Sequence, residues 1–271
     1  MNDVMRGRWI DAHIHLDLYE EEERDMLLER ALEQDGVAAV IAVSMHLNSS
    51  RANRELARRF PGRVHPAYGF HPEQDIPSEA ESEALIRWIG ERAAAGEAFA
   101  IGEVGLPYYT RTEAETAGRP FDEAPYVALL ERFVKLAAEL DAPIVLHAVY
   151  EDGDKACDLL ERYGVRRAHF HWFKGAEETI RRMAANGYSI SVTPDVCYEE
   201  EIRALVRQYP IALMMTETDG PWPFEGPFAG LPTIPGMVRR VAEAIAEIKG
   251  LPLQAAEEQL LDNAKRFYGL D

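Results

Sequence analysis

The sequence predicts an α/β fold, a (βα)8 TIM barrel with one or two extra C-terminal helices. Strand-sized apolar runs alternate with helix patterns along the chain, and eight such pairs can be counted. The length of 271 residues is close to the ~250 residues typical of this barrel. An open doubly wound sheet shares the alternation and is the alternative, but no glycine-rich dinucleotide fingerprint follows the first predicted strand. No linker or low-complexity tract divides the chain, so a single domain, 1–271, is predicted.

The individual elements follow from the hydrophobic pattern. The run 37–43 (VAAVIAV) is apolar throughout, as expected of a parallel strand that is covered on both faces. Helix patterns repeat their apolar residues every three or four positions and end at breakers such as Pro61 and Gly62. The predicted strands are 8–12, 37–43, 64–70, 98–104, 142–146, 166–170, 188–192 and 211–216. The predicted helices are 20–34, 50–60, 82–95, 122–140, 154–163, 176–185, 198–208, 234–249 and 253–267.

One stretch between the predicted elements is unusually long. Residues 107–120 are rich in Thr, Gly and Pro and are predicted to form the longest loop of the barrel. This stretch follows a strand on the face where substrate enters, so a lid or a wall of the site is expected there.

Composition indicates a soluble, globular protein and restricts the classes of molecule that it is expected to bind. Apolar residues make up 47 % of the chain, and no apolar run approaches the ~18 residues of a membrane span. No secretory signal pattern is recognisable, so we expect a cytoplasmic protein that does not contact membranes. With 47 acidic and 29 basic side chains, the net charge of −18 should repel long polyanions. Tight non-specific binding of duplex nucleic acid is therefore not expected. We expect the substrate to be a small molecule or a short nucleic-acid end that binds at a local metal site. A monomer or a small homo-oligomer is expected.

Side chains that can bind metal ions stand at the carboxyl ends of the predicted strands. Two histidines that lie two residues apart close the first strand, and period-2 geometry places both imidazoles on one side. In a parallel barrel all such ends converge on one face. Asp, Glu and His are poor core residues, so packing does not explain the pattern. The sequence therefore predicts a metal site formed by His13, His15, Glu103, His147, His171 and Asp219.

With these residues in place, the sequence resembles the TatD family of metal-dependent hydrolases, which are barrels of the amidohydrolase superfamily. The resemblance rests on blocks that occur in order over nearly the whole chain. They are DAHIH at 11–15, GFHP at 69–72, AIGEVGL at 100–106, IVLH at 144–147, HWFKG at 171–175, TETD at 216–219 and NAKRF at 263–267. It implies one metal ion held by His13, His15 and Asp219, a second held by His147 and His171, and Glu103 bridging the two.

The expected chemistry follows from the types of ligand. Two cations a few Å apart can share a water molecule and lower its pKa, which favours hydrolysis of an ester or phosphodiester bond. Asp219 is expected to act as both ligand and general base. Four imidazoles with two carboxylates favour Zn, Mn, Ni or Co, but family nucleases use Mg, so the identity of the ions stays open. A 3′-end deoxyribonuclease is the family default.

Two further residues are candidates for substrate contacts. His71, in the GFHP block, resembles a family position near the substrate, and bracing of its loop is the alternative. Trp172 follows a proposed ligand and is expected to wall the pocket, with core packing as the alternative.

The chain also departs from the family nucleases. Pro107 stands where they commonly have Asp, and Val149 stands where they often carry an Arg that can donate two hydrogen bonds to a phosphate. Together with the acidic net charge, this keeps a second hypothesis open, a lactone, carboxylic ester or amide hydrolase on the same binuclear site. A non-catalytic metal-dependent binding protein is a third hypothesis, against which the open ligand set argues. The nearby cations that could replace the missing Arg are Lys174, Arg111 and Arg119.

Overall fold

The computed structural model describes residues 7–270, and in that range eight strands form one parallel sheet. The strands are β1 Trp9–Ile14, β2 Val37–Ala42, β3 Val64–Tyr68, β4 Ala100–Gly105, β5 Ile144–His147, β6 Ala168–Phe170, β7 Ser189–Val192 and β8 Met214–Thr216. They follow one another in sequential order from β1 to β8, and each pairs in parallel with the next. The predicted strands are all present, with bounds shifted by at most three residues.

Hydrogen bonds between the end of β8 and β1 bring the sheet round into a nearly closed barrel. The Thr216 hydroxyl donates to the carbonyl of Ile10 at 2.8 Å, and the Asp219 amide donates to the carbonyl of His13 at 2.9 Å. This closure confirms the predicted barrel and excludes the open doubly wound sheet. The predicted single domain also includes residues 1–6 and 271, which lie outside the described residues, and it stays a prediction.

Helices follow the strands as the sequence indicates. They are α1 Glu21–Glu33, α2 Leu47–Arg59, α3 Glu79–Ala94, α4 Tyr108–Thr116, α5 Ala124–Leu140, α6 Glu151–Tyr163, α7 Glu177–Ala185, α8 Glu200–Gln208, α9 Val238–Lys249 and α10 Leu253–Tyr268. After β8 the chain forms both α9 and α10, so the extra C-terminal helix is confirmed. No helix within residues 7–270 combines the length and the apolar composition needed to cross a lipid bilayer.

The prediction of a long loop at 107–120 is wrong, because α4 occupies most of it. The amides of Tyr109 and Thr110, in the first turn of α4, donate to the Glu73 carboxylate at 2.8 and 2.7 Å. These amides have no partner within the helix, and a negative charge at a helix N-terminus is favourable. The capping carboxylate comes from the segment after β3, so the local sequence of 107–120 does not reveal it.

The buried apolar side chains form two main clusters. Most buried apolar side chains fill the space between the strands and the surrounding helices. A smaller cluster packs Ile10 of β1, Val145 of β5 and Met215 of β8 together with Ala264 and Phe267 of α10. The terminal helix is thus part of the core that holds the strands whose ends carry the site.

Candidate metal centre

The six residues predicted as metal ligands meet at the carboxyl end of the barrel. They come from β1, β4, β5, β6 and β8 or from the residues just after these strands, and each is at most 7 % exposed to solvent. They are His13, His15, Glu103, His147, His171 and Asp219. The barrel therefore brings together residues that are some two hundred positions apart in the sequence, as predicted.

Glu103 lies between two pairs of imidazoles. Its Oε2 atom is 3.0 Å from Nε2 of His13 and 3.2 Å from Nε2 of His15. Its Oε1 atom is 3.0 Å from Nδ1 of His147 and 2.6 Å from Nε2 of His171. One carboxylate thus presents a different oxygen to each pair, as a bridge between two ions requires.

Asp219 completes the group around the first pair. Its Oδ1 atom lies 3.4 Å from Nε2 of both His13 and His15. The backbone of Asp219 has a positive φ of 51°, a left-handed conformation that Asp tolerates better than most residues. Ligand atoms of His13, His15 and Asp219 lie within 4.8 Å of one another, close enough to share one ion.

Buried polar atoms without hydrogen-bond partners test whether this group suits a cation. Within residues 7–270 they include Nε2 of His13, Nε2 of His15, Oε2 of Glu103 and Oδ1 of Asp219. Such atoms are costly to bury, and native proteins pair nearly all of them. These four face one another, and imidazole nitrogens and carboxylate oxygens are ligands that Zn²⁺ and related ions bind. The residues present therefore fit a divalent metal ion.

The pKa values of the histidines in this cluster also indicate a site that favours positive charge. Burial lowers the pKa of His13 well below its ordinary value, so this side chain is neutral. Burial also acts downward on His15, but the nearby carboxylates of Asp219 and Glu103 outweigh it and raise its pKa to about 10. The pKa of His147 rises to about 9 because Glu103 and Glu73 outweigh the effect of burial. In the absence of a cation, protons bind at these ligands.

Glu73 is a site residue that the sequence reasoning missed. It lies 3.2 Å from Nε2 of His147, on the opposite side of the ring from Glu103, and its side chain is 14 % exposed. Hydrogen bonding of a ligand imidazole by a carboxylate fixes its tautomer and its orientation. A signal was present, because Glu73 follows the GFHP block directly and lies two residues after His71.

His71 lies inside the cluster, with Nε2 at 3.6 Å from Oε1 of Glu103. Its Nδ1 atom accepts the backbone N–H of Glu73 at 3.1 Å. A ring that accepts at Nδ1 carries its hydrogen on Nε2 when it is neutral, and burial lowers the pKa of His71 to about 3. The Nε2 atom therefore donates, which suits contact with an anionic oxygen better than direct binding of a metal ion.

Trp172 is half-buried beside the cluster, and both its backbone amide and its indole N–H donate hydrogen bonds to carboxylates. Its amide donates to Oε1 of Glu217 at 2.8 Å, and its indole Nε1 donates to Oδ2 of Asp195 at 2.6 Å. The ring packs against Phe224, with the centroids 5.6 Å apart. Packing therefore accounts for much of the position of Trp172, and its proposed substrate contact stays a prediction.

The three cations suggested as replacements for the missing Arg differ in their surroundings. Arg111 contacts the carboxylates of Glu123, Glu151 and Asp152 at 3.0 to 3.2 Å, so its charge is already balanced. Arg119 is paired with an exposed carboxylate on the surface. Lys174 contacts no carboxylate within 4 Å in residues 7–270, and its ammonium lies 5.4 Å from the centre of the Trp172 ring. Lys174 is the cation of the three best able to meet a phosphate.

Gly105 shows why the GEVG sequence of β4 suits this site. A Cβ atom at Gly105 would lie 1.8 Å from the carbonyl oxygen of His147. Only glycine permits β4 and β5 to approach so closely, and this approach brings Glu103 and His147 together.

Comparison with known proteins agrees with this geometry. The family model described as TatD related DNase matches residues 10–269. The chain belongs to the TatD family. A relative from Haemophilus influenzae, named an uncharacterized metal-dependent hydrolase, is 36 % identical over 96 % of this chain and 99 % of its own length. Human deoxyribonuclease TATDN3 is 28 % identical, over 96 % of this chain and 94 % of its own length.

Proteins named as TatD or as a TatD homologue, at lower identity, also match nearly the whole chain. The 3′-5′ ssDNA/RNA exonuclease TatD of Erwinia amylovora is 26 % identical over 92 % of this chain and 94 % of its own length. The crystal structure of the TatD homologue YjjV from Escherichia coli superimposes with a TM-score of 0.82 at 26 % identity, covering 98 % of this chain and all of that one. The family and its barrel fold, expected from the sequence blocks, are therefore confirmed.

Proposed function

We propose that this chain is a two-metal phosphodiesterase that removes nucleotides from the 3′ end of short single-stranded nucleic acids. Its class, a metal-dependent hydrolase, follows from its family and from the name of its Haemophilus relative. Relatives named as a deoxyribonuclease and as an exonuclease support the nucleic-acid substrate. The observation that carries the two-metal proposal is that the two oxygens of Glu103 face different imidazole pairs.

In the proposed centre, one ion is held by His13, His15 and Asp219 and the other by His147 and His171. Glu103, whose two oxygens face the two imidazole pairs, would lie between the ions. Zn, Mn, Ni, Co and Mg are the candidate ions, because the ligand set mixes imidazole nitrogens with carboxylate oxygens. When bound, two such ions supply a water molecule whose pKa is near neutrality rather than ~15.7.

The side chains around this centre then have separate tasks. Asp219 accepts the proton of the attacking water and passes it to the departing 3′ oxygen. His71 donates its Nε2 hydrogen to a phosphoryl oxygen. Lys174, which has no carboxylate partner in the described part of the chain, attracts the substrate phosphates.

The acidic surface supports short single strands over duplexes as substrates. The net charge of −18 repels a long polyanion, and the buried Val149, which stands where family nucleases often carry an Arg, offers no hydrogen bond to a phosphate. A strand end places only a few phosphates near the barrel mouth, where bound cations reverse the local charge.

A substrate screen on the metal-loaded protein tests the proposal. The chain is treated with chelator, reloaded with each candidate ion, and assayed on a 5′-labelled single strand, its duplex, a p-nitrophenyl phosphodiester, carboxylic esters and lactones. We expect metal-dependent shortening of the single strand from its 3′ end and slower attack on the duplex. Hydrolysis of esters or lactones with intact phosphodiesters would contradict the proposal and support the small-molecule hypothesis. The double variant His13→Ala, His15→Ala is the matched negative control.

A further inference from the structure

The exposed aromatic side chains are concentrated at one place on this molecule. The chain has 4 Trp, 11 Tyr and 10 Phe residues, all within the described range. Trp222 is 42 % exposed and Tyr109 is 48 % exposed, and every other aromatic side chain of residues 7–270 is less exposed than these two. Both lie at the carboxyl end of the barrel beside the candidate metal centre.

Each ring stands next to a different proposed ligand. The centroid of the Tyr109 ring is 6.1 Å from that of His147, and the centroid of the Trp222 ring is 6.4 Å from that of His15. His147 and His15 belong to different proposed ions. A substrate whose scissile bond lies over both ions therefore has an open aromatic face near each of them.

The backbones that carry these rings are fixed. The Tyr109 amide donates to Glu73 at 2.8 Å, and the Tyr109 ring also meets the edge of the Tyr108 ring at a centroid distance of 5.4 Å. The Trp222 amide donates to the carbonyl of Asp219 at 3.2 Å, and its own carbonyl accepts the Thr233 hydroxyl at 2.5 Å. Rings presented from fixed backbones lose little conformational entropy when a ligand stacks on them.

We propose that Tyr109 and Trp222 are stacking platforms for the nucleobases that flank the scissile phosphodiester of a single-stranded substrate. This inference rests on the proposed function and names the part of the substrate that the protein recognises. Aromatic rings stack on any base, so the platforms are tolerant of sequence. In a duplex the bases already stack on one another and must be unstacked first, so the platforms select single strands.

Charge supports stacking as the source of affinity. Proteins that bind single strands commonly combine a positive groove with aromatic platforms. Here the net charge is −18, and the side chains of Arg111 and Arg119 are paired with carboxylates. Lys174 is the one cation of the three suggested above without a carboxylate partner in residues 7–270, so few phosphates of a strand meet a free positive side chain, and base stacking adds to that limited attraction.

The stacking proposal is tested by comparing the binding of a single strand that has all its bases with the binding of one that lacks the last two. The probe is a short 5′-fluorescein single strand with phosphorothioate linkages that resist cleavage, compared with the same strand carrying abasic sugars at its last two 3′ positions. Fluorescence anisotropy with the metal-loaded protein gives both dissociation constants. We expect the strand with bases to bind about 100-fold more tightly, which is about tenfold for each of the two stacked bases.

Variants of Tyr109 and Trp222 show whether these two rings cause the preference for the strand with bases. Tyr109→Ala and Trp222→Ala should each remove about tenfold of the preference for bases, and the double variant should bind both strands alike. Tyr109→Phe and Trp222→Phe keep an aromatic face and should preserve the preference. Leu253→Ala, an exposed apolar side chain at the start of α10, is the matched surface control.

Two results would overturn the proposal. One is equal binding of the two strands by the unaltered protein, and the other is a full preference for bases in the double Ala variant. If the strands bind alike while a small aromatic ester competes with them, the rings belong to a small-molecule site. Because the readout is binding to a strand that is not cleaved, loss of phosphodiesterase activity would contradict only the proposed function.

Discussion

Nε2 of His147 donates a hydrogen bond to Oε1 of Glu73 across 3.2 Å. Burial acts upward on the Glu73 pKa, but His147 and Thr110 lower it to about 2, so the side chain is ionised and can only accept. The same carboxylate caps α4 through the amides of Tyr109 and Thr110. One side chain thus orients a proposed ligand and also fixes the helix beside the site.

We predict that Glu73→Ala weakens metal binding by about 10-fold to 100-fold, because His147 loses the partner that fixes its tautomer. Competition with a chromogenic chelator measures the affinity. Asp75→Ala, which removes an exposed carboxylate two residues away, is the control and should bind metal like the unaltered protein. Unchanged affinity in Glu73→Ala would show that Glu73 serves only to cap α4.

Metal binding should release protons. The pKa of His15 is about 10 and that of His147 is about 9 in the metal-free site, so both are protonated at neutral pH, and a cation must displace those protons. The apparent affinity should therefore rise with pH below about 9, by about tenfold per pH unit for each displaced proton. Calorimetry in buffers of different ionisation enthalpy counts the protons. An affinity that is flat with pH would contradict this protonation of the site.

Asp219→Asn should retain metal but lose turnover by about 100-fold or more, because an amide oxygen still ligates weakly but cannot accept a proton. Metal content and kcat on a p-nitrophenyl phosphodiester are measured on the same sample. Turnover within about tenfold of the unaltered protein would remove Asp219 from the role of general base.

Lys174→Ala should raise the KM for a short single strand and reduce the slope of log affinity against log salt by about 0.7, the value for one phosphate contact on a single strand. The control is Arg119→Ala, which removes an exposed cation that is already paired with a carboxylate. If the two variants behave alike, Lys174 contributes only to the general charge of the surface.

Much of the site was predictable because its side chains end strands. A barrel forces strand ends onto one face, so the positions of His13 and Asp219 in the pattern were enough to predict their proximity. A bridging position for Glu103 was implied by the family resemblance, and the placement of its two oxygens against different imidazole pairs agrees with it.

Features that depend on contacts distant in sequence were not predictable in this way. Glu73 caps α4 from a separate segment, so the pattern of 107–120 indicated a loop. The balance of charge around Arg111 requires Glu123, just before α5, and the carboxylates at the start of α6 to lie beside it, and no spacing rule gives that arrangement. The exposure of Tyr109 and Trp222 is likewise a property of the folded surface.

The metal content of Glu103→Gln tests the two-ion centre most directly. Two dications held a few Å apart repel strongly, and Gln keeps the shape of the bridge while removing its negative charge. Elemental analysis after parallel dialysis should find two ions per chain in the unaltered protein and at least one fewer in Glu103→Gln, with kcat collapsing in the variant. An unchanged metal count in Glu103→Gln would contradict the bridge and the two-ion mechanism that depends on it.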